Sequence, residues 1–219
     1  MTYEEWVEFR RTGVGASEVS SILWADKYKT PNEVLDGKIL PLGTDWWPVN
    51  NENAYWGRKL EPIVAEEFAQ RTGLVLEDRG RFSSVRHPKV PCLFATPDRI
   101  ILAHTGPAGA LECKVADSVF DERWGEHAPF SYIIQLQVQM SVLDLKWGAV
   151  AGLVGKSFRY YFYRRDPVFC DLMHTCVKRF WDVVEGRRED CFATMKYHRL
   201  TARARGQLRQ NLDQLEIAV

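Results

Sequence analysis

Asp98, in Ala95-Thr96-Pro97-Asp98-Arg99, and Glu112 with Lys114, in Leu111-Glu112-Cys113-Lys114-Val115, are residues whose types and spacing suit metal-assisted chemistry. Successive side chains of a strand face opposite ways, so Leu111, Cys113 and Val115 are expected to bury while Glu112 and Lys114 project together. A hairpin joining this strand to the one that carries Asp98 brings in the second carboxylate. Mg²⁺ prefers oxygen ligands, keeps several waters and needs only one or two carboxylates beside the phosphate oxygens of a substrate. Such a site hydrolyses a phosphodiester when a metal-activated water attacks phosphorus in line, with Lys114 orienting that water or serving as its base. A Glu-x-Lys triplet alone is equally the surface of an ordinary strand, so the reading depends on what else the chain supplies.

Two helices supply it. Between Asn53 and Arg71 the apolar residues Trp56, Leu60, Ile63, Val64 and Phe68 recur at helical spacing, and Gly73 provides the stop. Glu61 sits beside that stripe, either facing the sheet as a ligand or water-orienting group, or paired with Arg58 or Lys59 on a solvated face. Phe130 to Leu145 forms a second helix on which Tyr132, Gln135 and Gln139 make a polar stripe. Gln135 either holds the attacking water or a phosphate, or is an amide satisfied by neighbouring backbone.

The remaining elements form a frame for these. Short helices are expected at Tyr3–Arg10 and Ser17–Leu23, with Ser17 as N-cap, separated by the glycines of Thr12-Gly13-Val14-Gly15-Ala16. Strands are expected at Leu74–Ser83, Cys92–Leu102 and Gly109–Ala116, the last two joined as a hairpin. A further hairpin, Trp147–Val154 with Ser157–Arg164, turns at Gly155-Lys156 and precedes helices at Pro167–Glu185 and Thr201–Leu215. Gly37 to Asn53, with Trp46 and Trp47, reads as a loop whose aromatics either lie against a ligand or pack among themselves. Helices before, between and after a central group of strands predict an α/β layer architecture.

A chain of 219 residues, 46% hydrophobic, can bury one sizeable core. One domain is therefore expected, with residues 1–52 as N-terminal helices and loop, 53–164 as catalytic core and 165–219 as C-terminal helices. Lys and Arg total 29 against 29 Asp and Glu, so attraction to nucleic acid must come from local pairs such as Arg10-Arg11 and Arg58-Lys59. The five cysteines form no C-x-x-C pair, which suits a reducing cytosol. No apolar run approaches the roughly 20 residues that span a bilayer, so no membrane partner is expected.

Taken in order, Arg10-Arg11-Thr12-Gly13-Val14-Gly15-Ala16-Ser17-Glu18, Gly57-x-x-Leu60-Glu61-Pro62, Pro97-Asp98, Glu112-Cys113-Lys114 and Tyr132-x-x-Gln135-x-Gln137 resemble the YqaJ-like viral recombinase family, relatives of phage lambda exonuclease. The resemblance runs from about residue 4 to residue 190. It implies the restriction-endonuclease-like PD-(D/E)xK fold, a central mixed β-sheet flanked by helices. It also implies 5′-to-3′ digestion of one strand of linear double-stranded DNA. By the same resemblance Asp98, Glu112 and the main-chain carbonyl of Cys113 would ligate Mg²⁺, or Mn²⁺ in its place, and Lys114 would be the catalytic lysine. Glu61 would be the acidic residue on the helix, Tyr132 and Gln135 would flank the site, and Arg11 to Ser17 would meet the DNA end. A free helix N-terminus at Ser17 would favour that phosphate independently. The expected partners are DNA ends, a single-strand annealing protein and two further copies in a homo-trimer ring.

Two other readings share parts of this sequence: an endonuclease on the same fold, and a noncatalytic DNA-binding accessory of recombination. An iron-sulfur cluster on Cys92, Cys170, Cys176 and Cys191 is not expected, because those cysteines lack the close pairs usual for cluster ligands.

Overall fold

A computed structural model of the chain describes residues 1–40, 52–102, 106, 108–116, 124–186, 192 and 194–215. Helix α1 (Tyr3–Arg11) opens with a capping box in which Thr2 and Glu5 bond each other's backbone N–H. It runs into β1 (Val14–Gly15), a 3₁₀ turn at Ala16–Glu18 and the four-residue α2 (Val19–Ile22). Ser17, the expected N-cap, thus lies inside the 3₁₀ turn, and Gly15 holds the cap position instead. The Glu18 carboxylate accepts from the Gly15 N–H at 2.8 Å, so a side chain within the turn does the capping.

Helix α3 (Pro31–Ile39) occupies the start of the expected loop. Thr30 and Glu33 form a second capping box around Pro31, whose missing N–H costs nothing in a first helical turn. Trp46 and Trp47 lie outside the described residues. Helix α4 (Glu52–Thr72) ends at Gly73, whose positive φ of 71° is cheap only for a residue without Cβ. Its buried face is Val64, Ala65 and Phe68; Trp56 and Ile63, expected in that stripe, are 53% and 54% exposed.

Strands β2 (Val75–Glu77), β3 (Val85–His87), β4 (Val90–Ala95), β5 (Arg99–Leu102) and β6 (Gly109–Ala116) follow. The expected strand Cys92–Leu102 is therefore two, and they belong to different sheets. Pro97 explains the break. Continuing the β5–β6 register beyond Arg99 opposite Leu111 would set Pro97 opposite Cys113, and proline has no N–H to give the ladder. The expected strand Leu74–Ser83 likewise shrinks to β2, because Asp78, Gly80 and Ser83 build turns with their own backbone.

Helix α5 (Phe130–Val142), the hairpin β7 (Trp147–Val154) and β8 (Ser157–Arg164), and α6 (Pro167–Val184) lie where the periodicity places them. The tail helix begins earlier than expected, as α7 (Met195–Gln210) capped by Thr194, with α8 (Leu212–Leu215) after a break. One sheet has the order β2-β5-β6-β7-β8, antiparallel throughout except for the parallel β6–β7 pair; the other is β1-β4-β3.

Two cores hold the mixed sheet. Val64, Ala65 and Phe68 of α4 cover Ile101, Leu111, Cys113, Ala149, Ala151 and Phe162 on one face. On the other, α5 and α6 bury Ala110, Val150, Ile133, Leu136, Phe169 and Phe180 in the larger cluster. Strand β6 is thus covered on both faces, so Glu112 and Lys114 project toward a helix rather than toward open water. Among the described residues no helix is long and apolar enough to cross a membrane.

Candidate active site

Strand β6 delivers Glu112 and Lys114 to the face under α5, and the break between β4 and β5 delivers Asp98 beside them. A cleft of about 360 Å³ is lined by Asp98, Glu112, Cys113 and Lys114 together with Glu61, Gln135 and Ser17. The Asp98 carboxylate accepts from the Cys113 N–H at 2.7 Å, taking a ladder donor left over where the β5–β6 pairing stops at Arg99. The proline that ends the strand pairing therefore also fixes the acidic side chain after it.

Glu112 is 2% exposed, and burying its charge would be costly without close partners. Gln135 Nε2 donates to Oε1 at 2.7 Å and Gln139 Nε2 to Oε2 at 2.5 Å, both from α5. Lys114 Nζ stands 2.5 Å from Oε1, donates to Gln135 Oε1 at 3.1 Å and lies 4.8 Å from the centre of the Tyr132 ring. The polar stripe read from the sequence is thus the set of groups that holds Glu112 and Lys114. Tyr132 touches the lysine and is absent from the lining of the cleft.

Burial raises the Asp98 carboxyl well above the ordinary carboxylate range, and the Glu112 charge adds to this while Lys114 opposes it. Burial also favours the neutral form of Lys114, but Glu112 and Asp98 outweigh it and hold the ammonium above the ordinary lysine value. Lys114 is accordingly a fixed cation here, which suits orienting a water or phosphate better than accepting a proton.

Asp98, Glu112 and the Cys113 carbonyl form an oxygen-only donor set of the kind a hard divalent cation accepts. Burial and the Glu112 charge both disfavour the ionised Asp98, and a bound cation would offset both. Among the described residues no three His, Cys, Asp or Glu side chains are gathered as a metal cluster, so a cation here would draw the rest of its coordination from waters and substrate. Glu61 is engaged elsewhere: Arg99 Nη1 bonds its Oε1 at 2.9 Å, and the same guanidinium reaches Asp78 at 3.5 Å.

The wall opposite the sheet comes from the N-terminal turn. Gly13 passes so close to β4 that a Cβ there would lie 2.7 Å from the Cys92 carbonyl oxygen. Behind the turn, Lys38 Nζ bonds both oxygens of Glu18 at 2.8 Å and the Arg10 carbonyl at 2.8 Å. Ser17 is exposed on the cleft, but the helix after it has only four residues, too short for the anion-holding terminus expected of it. Arg11 donates to the Lys38 carbonyl at 3.2 Å and does not line the cleft, whereas Arg10, Arg58 and Arg81 do. The family resemblance put Arg11 at the DNA end with the segment up to Ser17; helical phase, which turns neighbours about 100° apart, is the signal that separates it from Arg10.

The YqaJ-like viral recombinase domain matches residues 5–146. The uncharacterized protein YqaJ of Bacillus subtilis is 34% identical over 189 residues, covering 83% of this chain and 56% of that protein, so the chain spans about half the length of this relative. Among solved structures, the alkaline exonuclease LHK-Exo of Laribacter hongkongensis aligns over 84% of this chain and 93% of its own, at 22% identity and a TM-score of 0.66. Its complex with dAMP aligns over the same shares, at 21% identity with the same TM-score. A phage-related exonuclease from Haemophilus somnus aligns over 83% and 98%, at 14% identity and a TM-score of 0.60. These likenesses show a shared fold, the mixed sheet and flanking helices of the PD-(D/E)xK type, and the family match together with the Bacillus relative shows that the chain belongs to the YqaJ-like viral recombinase family.

Proposed function

We propose that the chain is a Mg²⁺-dependent exonuclease that digests linear double-stranded DNA from the 5′ end and leaves 3′ single-stranded overhangs for recombination. The observation that carries this reading is the convergence of Asp98, Glu112, Lys114 and Gln135 on one cleft. The solved relatives support it, one of them an alkaline exonuclease also seen with dAMP, a nucleoside monophosphate of the kind such digestion releases.

In this reading Asp98, Glu112 and the Cys113 carbonyl hold the cation. Bound there, Mg²⁺ would lower the pKa of a coordinated water and neutralise charge on the leaving oxygen. Gln135 and Gln139 hold the Glu112 carboxylate in place from α5. Lys114, set by Gln135 and the Tyr132 ring, holds the attacking water or a phosphate oxygen in line. Arg10, Arg58 and Arg81 with Ser17 receive strand phosphates at the cleft wall. Glu61 lines the same cleft, its carboxylate held by Arg99. The 5′-to-3′ direction, the annealing partner and the trimeric ring rest on the family resemblance.

Linear duplexes labelled at the 5′ or the 3′ end, incubated with and without Mg²⁺, test the reaction, its direction and its cofactor together. Early release of the 5′ label, only with the cation, is expected. Cutting of closed circular duplex would replace the reading by an endonuclease, and binding without cleavage in either Mg²⁺ or Mn²⁺ would overturn it.

A further inference from the structure

A second pocket, of about 530 Å³, opens where the β3–β4 turn, the C-terminal end of α5 and the outer face of α6 meet. Its lining includes two nearly buried polar side chains, His87 at 7% and Ser141 at 8% exposure, with His174 beside them. Lys89, Arg165 and Lys178 also line it. None of these residues has a part in the chemistry assigned to the cleft.

The hydrogen bonds fix where the protons lie. His87 Nδ1 accepts from the backbone N–H groups of Lys89 and Val90, at 3.0 and 3.1 Å, so its own proton is on Nε2. That Nε2–H faces Ser141 Oγ at 3.5 Å, and Ser141 Oγ lies 2.9 Å from His174 Nε2. The hydroxyl of Ser141 thus bridges the two rings, and the tautomer of His174 decides which of the pair donates in the second bond. The arrangement resists a transition metal, because the His87 nitrogen nearest the shared centre carries a hydrogen instead of a lone pair.

The charges favour an anion instead. Burial, followed by Lys178, Lys89 and Arg165, lowers the His87 pKa, with Asp144 opposing. His174 is lowered to about 4 by burial and by His87, with Asp171 opposing and Lys178 and Arg165 adding to the shift. Both shifts favour the neutral rings. Three cations, Lys89, Arg165 and Lys178, line the pocket with two acids, and because Arg165 is paired with Asp144 at 2.9 Å, Lys89 and Lys178 face only the exposed Asp171.

We propose that this pocket is a second anion site that takes a phosphate group, from a free nucleotide or from a nucleic-acid strand, apart from the cleft around Glu112. The reading does not depend on the nuclease assignment. Long-range ¹H–¹⁵N spectra of the five histidines report it directly. In metal-free buffer, inorganic phosphate, a deoxynucleoside 5′-monophosphate and a short single-stranded oligonucleotide are titrated in turn. Saturable shifts of His87 and His174 are expected, weakened by roughly tenfold in the Lys89→Gln, Lys178→Gln double variant, whose exposed positions leave the fold intact. Lys114→Ala, which disables the proposed nuclease, should leave this titration unchanged. Tightest binding of the oligonucleotide identifies a strand phosphate, and binding of the two small anions alone identifies free phosphate. Absence of a saturable shift with all three, an unchanged titration in the double variant, or a His87 proton found on Nδ1 would overturn the proposal.

Discussion

Replacing Gln139 by methionine separates the holding of Glu112 from the stability of the fold. Gln139 is fully buried; its Nε2 gives Glu112 Oε2 a 2.5 Å hydrogen bond, while its Oε1 has no partner among the described residues. Methionine fills nearly the same space without either polar atom. Losing a hydrogen bond to a charged group costs about 1.5–3 kcal/mol, and removing an unsatisfied buried carbonyl returns about 1–3 kcal/mol. The two nearly cancel, so unfolding in urea should place Gln139→Met within about 1 kcal/mol of the parent. Catalysis has no such compensation. Glu112 keeps Gln135 and Lys114 on Oε1 but loses the donor that fixes Oε2, so its carboxylate can rotate. If the lost bond acts fully in the transition state, kcat on a linear duplex at saturating Mg²⁺ should fall about tenfold to a hundredfold with KM little changed. Unchanged kcat in a normally stable variant would refute the claim that Gln139 aims Glu112. A stability loss well beyond about 3 kcal/mol would show that Oε1 has a partner and that the cancellation is wrong.

Lys114→Ala should abolish cleavage yet retain DNA binding in a gel-shift assay; residual turnover near the parental rate would remove Lys114 from the mechanism. Asp98→Ala should eliminate activity at every Mg²⁺ concentration, since the substituted side chain can neither ligate the cation nor cap the Cys113 N–H. Lys38→Met should destabilise the fold by about 3–5 kcal/mol by leaving Glu18 buried without its main partner, as read by thermal unfolding. The same pair sets an acid limit. Burial acts to raise the Glu18 pKa, but Lys38, Arg10 and the Gly15 N–H outweigh it and lower it. Its contribution is therefore complete above the ordinary glutamate value and fades as the pH falls through the lowered one. In Lys38→Met, with the chief lowering charge gone and burial left to raise the Glu18 carboxyl, that loss on acidification should shrink or reverse; an unaltered dependence of stability on pH would contradict the assignment.

What was legible in the sequence follows the range of the forces involved. Strict alternation in Leu111–Val115 and helical spacing in Phe130–Gln139 are local, and they located Glu112, Lys114 and Gln135 before any fold was known. Helix α3 was missed although Thr30-Pro31-Asn32-Glu33 carries its capping box, because Gly37 and few apolar residues hid its period. Arg99 on Glu61 and Lys38 on Glu18 lie beyond any local pattern, since 38 and 20 positions separate the partners. The exposure of Trp56 and Ile63 belongs to the same class: the spacing marks a stripe, but the narrow contact of α4 with the sheet decides how much of it is covered.

Pro97 shows how a single residue links fold to chemistry. With an N–H at that position β4 and β5 could run on as one strand and extend the β5–β6 ladder past Arg99. Without it the pairing stops, the chain leaves one sheet for the other, and the Asp98 carboxylate takes the donor that pairing leaves over. One oxygen of Asp98 is thereby tied to the backbone of the very strand that presents Glu112, so the two acids share one frame despite their mutual repulsion. An acid placed on a loop could relieve that repulsion by swinging into solvent. Held to β6 it cannot, and in the proposed reading a divalent cation bound beside Lys114 and Gln135 would relieve that repulsion.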